Sequence, residues 1–193
     1  MHTRFSLLTR LPQLSQALLT ATLVIGVVGL ATGQEAEMPV FTGKGKVNEP
    51  VNTDTGAIFD IGGATMTFPV GIPVGRSRLV TLMKGKKPAP KQVAEGFSPI
   101  GPTMDFNGAF RTNDKPIRVA VTSKKDPSKN GRRLVLAMEV GTLCDAKNKK
   151  YKLKSGLCSG WELIDAEFRD GEVVAEVEST GGLRMQFGSV PDK

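Results

Sequence analysis

The sequence predicts an all-β fold: an antiparallel two-sheet β-sandwich with one disulfide and a C-terminal meander. Three observations lead there. Apolar residues recur at every second position in short runs, as on strands with one face buried. The chain has 22 glycines and 12 prolines against one tryptophan and one tyrosine, a composition that supplies turns between short strands. No segment carries a sustained helical stripe, so two packed sheets are the economical way to bury the alternating faces.

The chain of 193 residues divides into three parts. Residues 1–33 have the layout of a cleavable signal peptide: a basic start (Arg4, Arg10), an apolar stretch from Ala17 to Leu30, then small residues at Ala31, Thr32 and Gly33. Cleavage is expected after Gly33. The alternative is an uncleaved anchor, but the unbroken apolar part is shorter than the ~20 residues a spanning helix needs, so no transmembrane segment is expected in the mature chain. Residues 34–57 are polar, with brief apolar pieces such as Met38, Val40 and Phe41, and read as a flexible lead-in. Residues 58–193 form a single β-sandwich domain; the exported chain of about 160 residues suffices for one core.

Within that domain, Ala64, Met66 and Phe68 share a face, then Ile117, Val119 and Val121, and Leu134, Leu136, Met138 and Val140 make the longest run. These are half-buried strands. Trp161 to Arg169 and Glu172 to Glu178 flank Asp170-Gly171, a dipeptide suited to the positive φ angles of a two-residue hairpin. A second turn at Thr180-Gly181-Gly182 leads into Leu183, Met185 and Phe187, completing the meander. Pro69 and Pro73 have no amide proton for a ladder and set a corner, where Gly71 and Gly75 allow backbone angles other residues resist.

The order of these pieces carries a resemblance. TMTFPVGIPVG at Thr65 to Gly75 is followed by strand-like Arg78 to Lys84, GFSPIGPTMDF at Gly96 to Phe106, and KPIRVAV at Lys115 to Val121. This resembles the β-sandwich domain of the ZU-five type, found in ankyrins, netrin receptors and zonula occludens scaffolds and, more loosely, in bacterial envelope proteins. Pro69, Gly71, Pro73, Ser98, Pro99, Gly101, Pro102, Phe106 and Pro116 stand at the matching positions, and the Trp161-led hairpin resembles the end of the bacterial versions. The resemblance implies a sandwich over about residues 58–190 and a structural or protein-interaction role. The Pro-x-Gly corner is one residue shorter than in the family, and the span from Phe106 to Pro116 is longer. Relatives that cleave themselves use a His-Phe-Ser site, whereas Ser179 to Phe187 contains no histidine, so self-cleavage is not carried over.

The residue inventory narrows the chemistry. The only histidine is His2, in the segment expected to be removed, which excludes Ser-His-Asp and Cys-His catalysis and histidine-ligated metal from the mature protein. No cofactor is expected. Gly62-Gly63 precedes a strand, where a dinucleotide-binding loop would precede a helix. Carboxylates that could pair for glycoside hydrolysis (Asp105, Glu162, Asp165, Glu167) sit in alternating patterns typical of a solvated strand face. Asn52 to Gly56 (NTDTG) lacks the acidic spacing of a calcium loop and reads as a turn.

Cys144 and Cys158 are expected to pair in an oxidising compartment, closing a loop of about 15 residues, worth roughly 3 kcal/mol by chain entropy. The alternative, a redox or metal-binding thiol pair, suits neither the long spacing nor the missing histidine. Export also lowers the formal net charge from +7 to +5 by removing Arg4 and Arg10. The remaining basic residues cluster: Lys84, Lys86, Lys87 and Lys91; Lys124, Lys125, Lys129, Arg132 and Arg133; and Lys147, Lys149, Lys150, Lys152 and Lys154 between the cysteines. Converging loops would make a surface for polyanions, while scattered charge would merely guard strand edges. The expectation is an exported, non-enzymatic β-sandwich acting as a structural or protein-interaction module in the cell envelope, with another envelope or secreted protein as partner. The alternative is a binder of acidic polysaccharide, lipid head groups or extracellular nucleic acid.

Overall fold

A computed structural model describes residues 37–72, 77–107, 115–129, 131–146, 148–153, 155–178 and 184–192. The expected signal peptide, Pro73, Gly75, Lys147, Lys154 and the Thr180-Gly181-Gly182 turn lie outside the described residues. The described chain is almost entirely strand: β1 (Val40–Thr42), β2 (Lys46–Asn52), β3 (Ala57–Asp60), β4 (Ala64–Phe68), β5 (Ser77–Lys84), the single-turn α1 (Pro90–Val93), β6 (Ser98–Asn107), β7 (Ile117–Thr122), β8 (Arg132–Thr142), β9 (Cys158–Asp165), β10 (Glu167–Arg169), β11 (Glu172–Val177) and β12 (Arg184–Pro191). They form two six-stranded sheets, β1-β3-β4-β7-β11-β10 and β2-β5-β6-β12-β8-β9. Every pairing is antiparallel except β1 with β3.

The alternating apolar residues meet between the sheets. Ala64, Met66 and Phe68 of β4 and Ile117, Val119 and Val121 of β7 face Leu82, Met104, Leu136, Met185 and Phe187 of the second sheet in one continuous core. Aromatic rings run through it, Phe41 to Phe59 at 5.7 Å, Phe59 to Phe68 at 5.5 Å, and Phe68 to Phe106 across the sheets at 6.1 Å, within the range where edge-to-face and stacked pairs are favourable. The corner after β4 is built as its residue types require. Gly71 takes φ +89° and donates its N–H to the Thr53 carbonyl at 2.7 Å, locking the corner onto the Asn52–Gly56 turn that joins β2 to β3.

Four expectations are corrected. The described part of the expected lead-in, residues 37–57, is not a flexible tail, because it contains β1 and β2; as edge strands they need few apolar residues, and only Val47 and Val51 of the seven in β2 are buried. The chain from Trp161 to Arg169 is not one strand. It leaves the second sheet at Ala166, whose N–H bonds the Leu134 carbonyl at 3.1 Å, and enters the first sheet as β10. The hairpin across Asp170-Gly171 forms as expected, with φ of 55° and 80°, but no meander continues from it, since β11 is already paired by β7 on one side and β10 on the other. β12 therefore crosses to the second sheet and inserts between β6 and β8. Finally, β8 is buried on both faces: Val135 and Ala137 are as inaccessible as Leu136.

The cover over that outer face is the β5–β6 connection. Phe97 joins Val135, Ala137 and Val190 in a second apolar cluster, with Val93, Ala94, Trp161 and Leu163 packed against it. Gly188 makes room for the Phe97 ring, which occupies the space a Cβ would need. Beside it, β6 bulges opposite β12. Gln186, fully buried, repairs the interrupted ladder: its amide donates to the carbonyls of Ile100 and Phe187 at 2.9 Å, and its oxygen accepts from the Thr103 hydroxyl. The bulge presses Gly101 against Val121 of the facing sheet, which accounts for the Gly-Pro of the SPIGP segment as packing.

Candidate functional site

Strand registers decide which basic residues meet. The pairs Ser189 with Ser98, Pro191 with Arg132 and Val135 with Asp165 put the ends of β9 and β12 and the starts of β6 and β8 at one end of the second sheet, while Lys84 at the end of β5 is level, through Met104 and Met185, with Met138 in the middle of β8. The pair Thr142 with Cys158 puts the disulfide loop at the other. β8 has 11 residues, so the two ends stand about 34 Å apart. The cluster of 124–133 leads into the first end, that of 84–91 starts from mid-sheet, and Lys149, Lys150 and Lys152 stand at the second end. Among the described residues, the cluster of 124–133 and the lysines of the disulfide loop do not form one surface.

Of the basic residues in the first two clusters, Arg132 and Arg133 are committed to structure, while Lys84, Lys86, Lys87, Lys91, Lys124, Lys125 and Lys129 are exposed with no ion pair among the described residues. Arg132 donates from Nε to the Ser189 hydroxyl at 2.8 Å and from a terminal nitrogen to the carbonyls of Gly96 and Ser189 at 2.6 and 2.7 Å, clamping the β5–β6 connection to β12. Arg133 pairs with Asp165 at 2.9 Å. Lys124, Lys125 and Lys129 flank Asp126, whose carboxylate accepts from the hydroxyl and amide of Ser128 and is held below its ordinary pKa by those two bonds, the hydroxyl first. One lysine that composition alone assigned to the lead-in stands beside Lys84: Lys46 pairs in register with Met83, and the Gly45 carbonyl accepts from the Lys84 amide.

The disulfide loop is built differently. Cys144 and Cys158 are bonded as expected, with Cα atoms 5.0 Å apart. Inside the loop, Asp145 and Asn148 exchange side-chain and backbone hydrogen bonds, and the Asn148 amide reaches the Thr142 hydroxyl and Leu143 carbonyl. The chain then turns back along β9. Leu153 donates to Leu157 at 2.8 Å, and Ser159 donates to Tyr151 at 2.7 Å, so this short segment pairs alongside the start of that edge strand. Lys149, Lys150 and Lys152 are exposed on it and make no ion pair among the described residues. The Lys150 ammonium lies 4.9 Å from the centre of the Tyr151 ring. Leu143 is 84% exposed and Leu157 39%; they flank the disulfide just beyond the last ladder pair.

A groove missed by the sequence reading opens on the outer face of the second sheet. It has a volume of about 670 Å³ and is lined by Ala94, Leu163, Val190 and Pro191, with Glu95, Arg133 and Asp192 on its rim. On the same face Glu139 is buried and accepts from the Ser159 hydroxyl at 2.5 Å. The Trp161 indole nitrogen opposite it is buried with no acceptor among the described residues. The signal was present in the consecutive apolar run Leu134–Met138, which a strand solvated on one face does not need.

Of the four carboxylates considered for catalysis, Glu162 is exposed on β9 and the other three are ion-paired. Asp105 pairs with Arg184 at 3.0 Å, Asp165 with Arg133, and Glu167 with Arg169 at 3.5 Å. Asp165, Glu167 and Glu176 rim a hollow of about 390 Å³ at the Ala166 corner. It lacks aromatic residues and is open to water, whereas a general acid needs a dry surrounding. Among the described residues no group of three or more acidic, histidine or cysteine side chains could hold a metal ion, and no helix is long and apolar enough to cross a membrane. No protein-family model matches the chain, and no curated protein matches it.

Proposed function

We propose that this chain is an exported, non-enzymatic β-sandwich that serves as a structural or protein-interaction module of the cell envelope, receiving its partner on the outer face of the second sheet. The observation that supports this most is the groove between the β5–β6 connection and β9: an apolar floor with a rim of both charge signs is the pattern of a peptide-binding surface. The proline and glycine positions shared with ZU-five-type domains favour the same reading by analogy of fold. Export is supported by the layout of residues 1–33 and is compatible with the disulfide.

The test is a photo-crosslinking residue at position 163 in the expressing cell. The reading expects one recurrent protein adduct, lost when Val190→Asp puts a charge on the groove floor. Only solvent-quenched products, from a variant that melts like wild type, would overturn it.

A second reading, binding of a polyanion, is favoured by one observation: Lys149, Lys150 and Lys152 are exposed without ion pairs on a loop held in shape by a disulfide. It expects retention on heparin that falls steeply with salt and is lost in Lys149→Gln/Lys150→Gln/Lys152→Gln. Elution unchanged in that variant would reject it.

A further inference from the structure

We infer that the disulfide loop is a membrane-surface contact, and that its ligand is the anionic face of a lipid bilayer. The inference rests on the second reading above and narrows it from polyanions in general to one kind.

Charge alone does not choose between a soluble acidic polymer and a bilayer, because both offer phosphate or carboxylate to lysine. The apolar residues do choose. Leu143 is the most exposed large hydrophobic side chain among the described residues, at 84%, and Leu157 stands across the disulfide from it. A hydrated polymer gives a leucine nothing to bury against. A bilayer interface does, and pairing inserted apolar residues with a collar of lysines is how peripheral proteins hold to anionic membranes.

The surroundings fit that geometry. The lysines and the leucine belong to one loop, gathered by Cα atoms 5.0 Å apart at its neck, and the loop leaves β8 at Leu143 and folds back beside the start of β9 through Tyr151 and Leu153. Tyr151 adds an amphipathic ring, half-buried beneath the Lys150 ammonium, of the kind enriched at headgroup depth. Edge protection of β9 accounts for lysines here, but not for an exposed leucine among them. The groove lies toward the opposite end of β9, so a chain seated on a bilayer by this loop leaves its proposed protein-binding face open.

The experiment compares the exported protein and its variants by flotation with vesicles of phosphatidylcholine alone and with 30% phosphatidylglycerol (about one lipid in three charged, so that a surface potential exists), alongside heparin retention. Wild type should float only with the anionic vesicles, and less as salt rises. Lys149→Gln/Lys150→Gln/Lys152→Gln should lower partitioning about a hundredfold, at roughly fivefold per lysine. Leu143→Ser should lower it about tenfold while leaving heparin retention and the melting temperature unchanged. If Leu143→Ser floats as well as wild type while heparin retention persists, the lipid inference falls and the polyanion reading stands. If wild type binds neither vesicle nor heparin, both fall together.

Discussion

Two long connections of this sandwich are both rich in lysine and are stabilised in opposite ways. Between β5 and β6 the chain carries Phe97 and Val93, which pack on Val135, Ala137 and Val190, and Arg132 ties Gly96 to β12. Between β8 and β9 the loop turns Leu143 to solvent and is closed instead by Cys144–Cys158. A loop with apolar residues to bury can be fixed by packing. A loop that buries few of them gains more from a covalent constraint if its polar side chains are to hold one arrangement. The first solution buries its apolar side chains and leaves Lys86, Lys87 and Lys91 exposed; the second leaves Leu143 exposed beside Lys149, Lys150 and Lys152.

Four measurements break or sharpen that contrast. The largest effect is expected from Phe97→Ala, which opens a cavity beneath the β5–β6 connection: a loss of about 3–5 kcal/mol, visible as a fall in melting temperature of roughly 10 °C. Replacing both cysteines by alanine should cost about 3 kcal/mol. It should also speed amide exchange at Leu153 and Ser159, whose bonds are made within the loop and to its edge, while the β8 amides stay protected. Lys149→Gln/Lys150→Gln/Lys152→Gln should leave stability within about 0.5 kcal/mol, since none of the three makes an ion pair among the described residues.

The smallest effect concerns Asp126. Its folded pKa is depressed by Ser128, so its contribution is present above the unfolded carboxylate value and is lost as pH falls through the folded one. Ser128→Ala should raise the Asp126 midpoint in a carbon-detected NMR titration; an unmoved midpoint would remove the hydroxyl as its cause.

Much of this architecture was legible from alternation and turn chemistry. Ala64, Met66 and Phe68 announce β4, and Asp170-Gly171 announces its hairpin, because side-chain period and positive φ are local properties. Sheet membership is not local. The alternation of Ile164, Ala166 and Phe168 runs unbroken through the Ala166 corner, so nothing in the pattern marks the passage from one sheet to the other. β2 escaped notice because an edge strand needs only Val47 and Val51 inside. For the candidate sites, cysteine pairing followed from compartment and spacing, and the lysines were plain to see. Which basic residues remain available depended on partners far away in sequence, such as Ser189 for Arg132 and Asp165 for Arg133. The groove needed knowledge that Leu163 and Val190 share an outer face.

The most direct test matches two variants of equal charge change. Lys86→Gln/Lys87→Gln/Lys91→Gln alters exposed residues of the packed connection, and Lys149→Gln/Lys150→Gln/Lys152→Gln alters those of the disulfide loop. Partitioning of each onto vesicles containing phosphatidylglycerol is then measured at one salt concentration. The account predicts a loss of about a hundredfold for the second and little change for the first. Equal losses in the two would mean that net charge, and not the stapled loop, governs binding, and would contradict it.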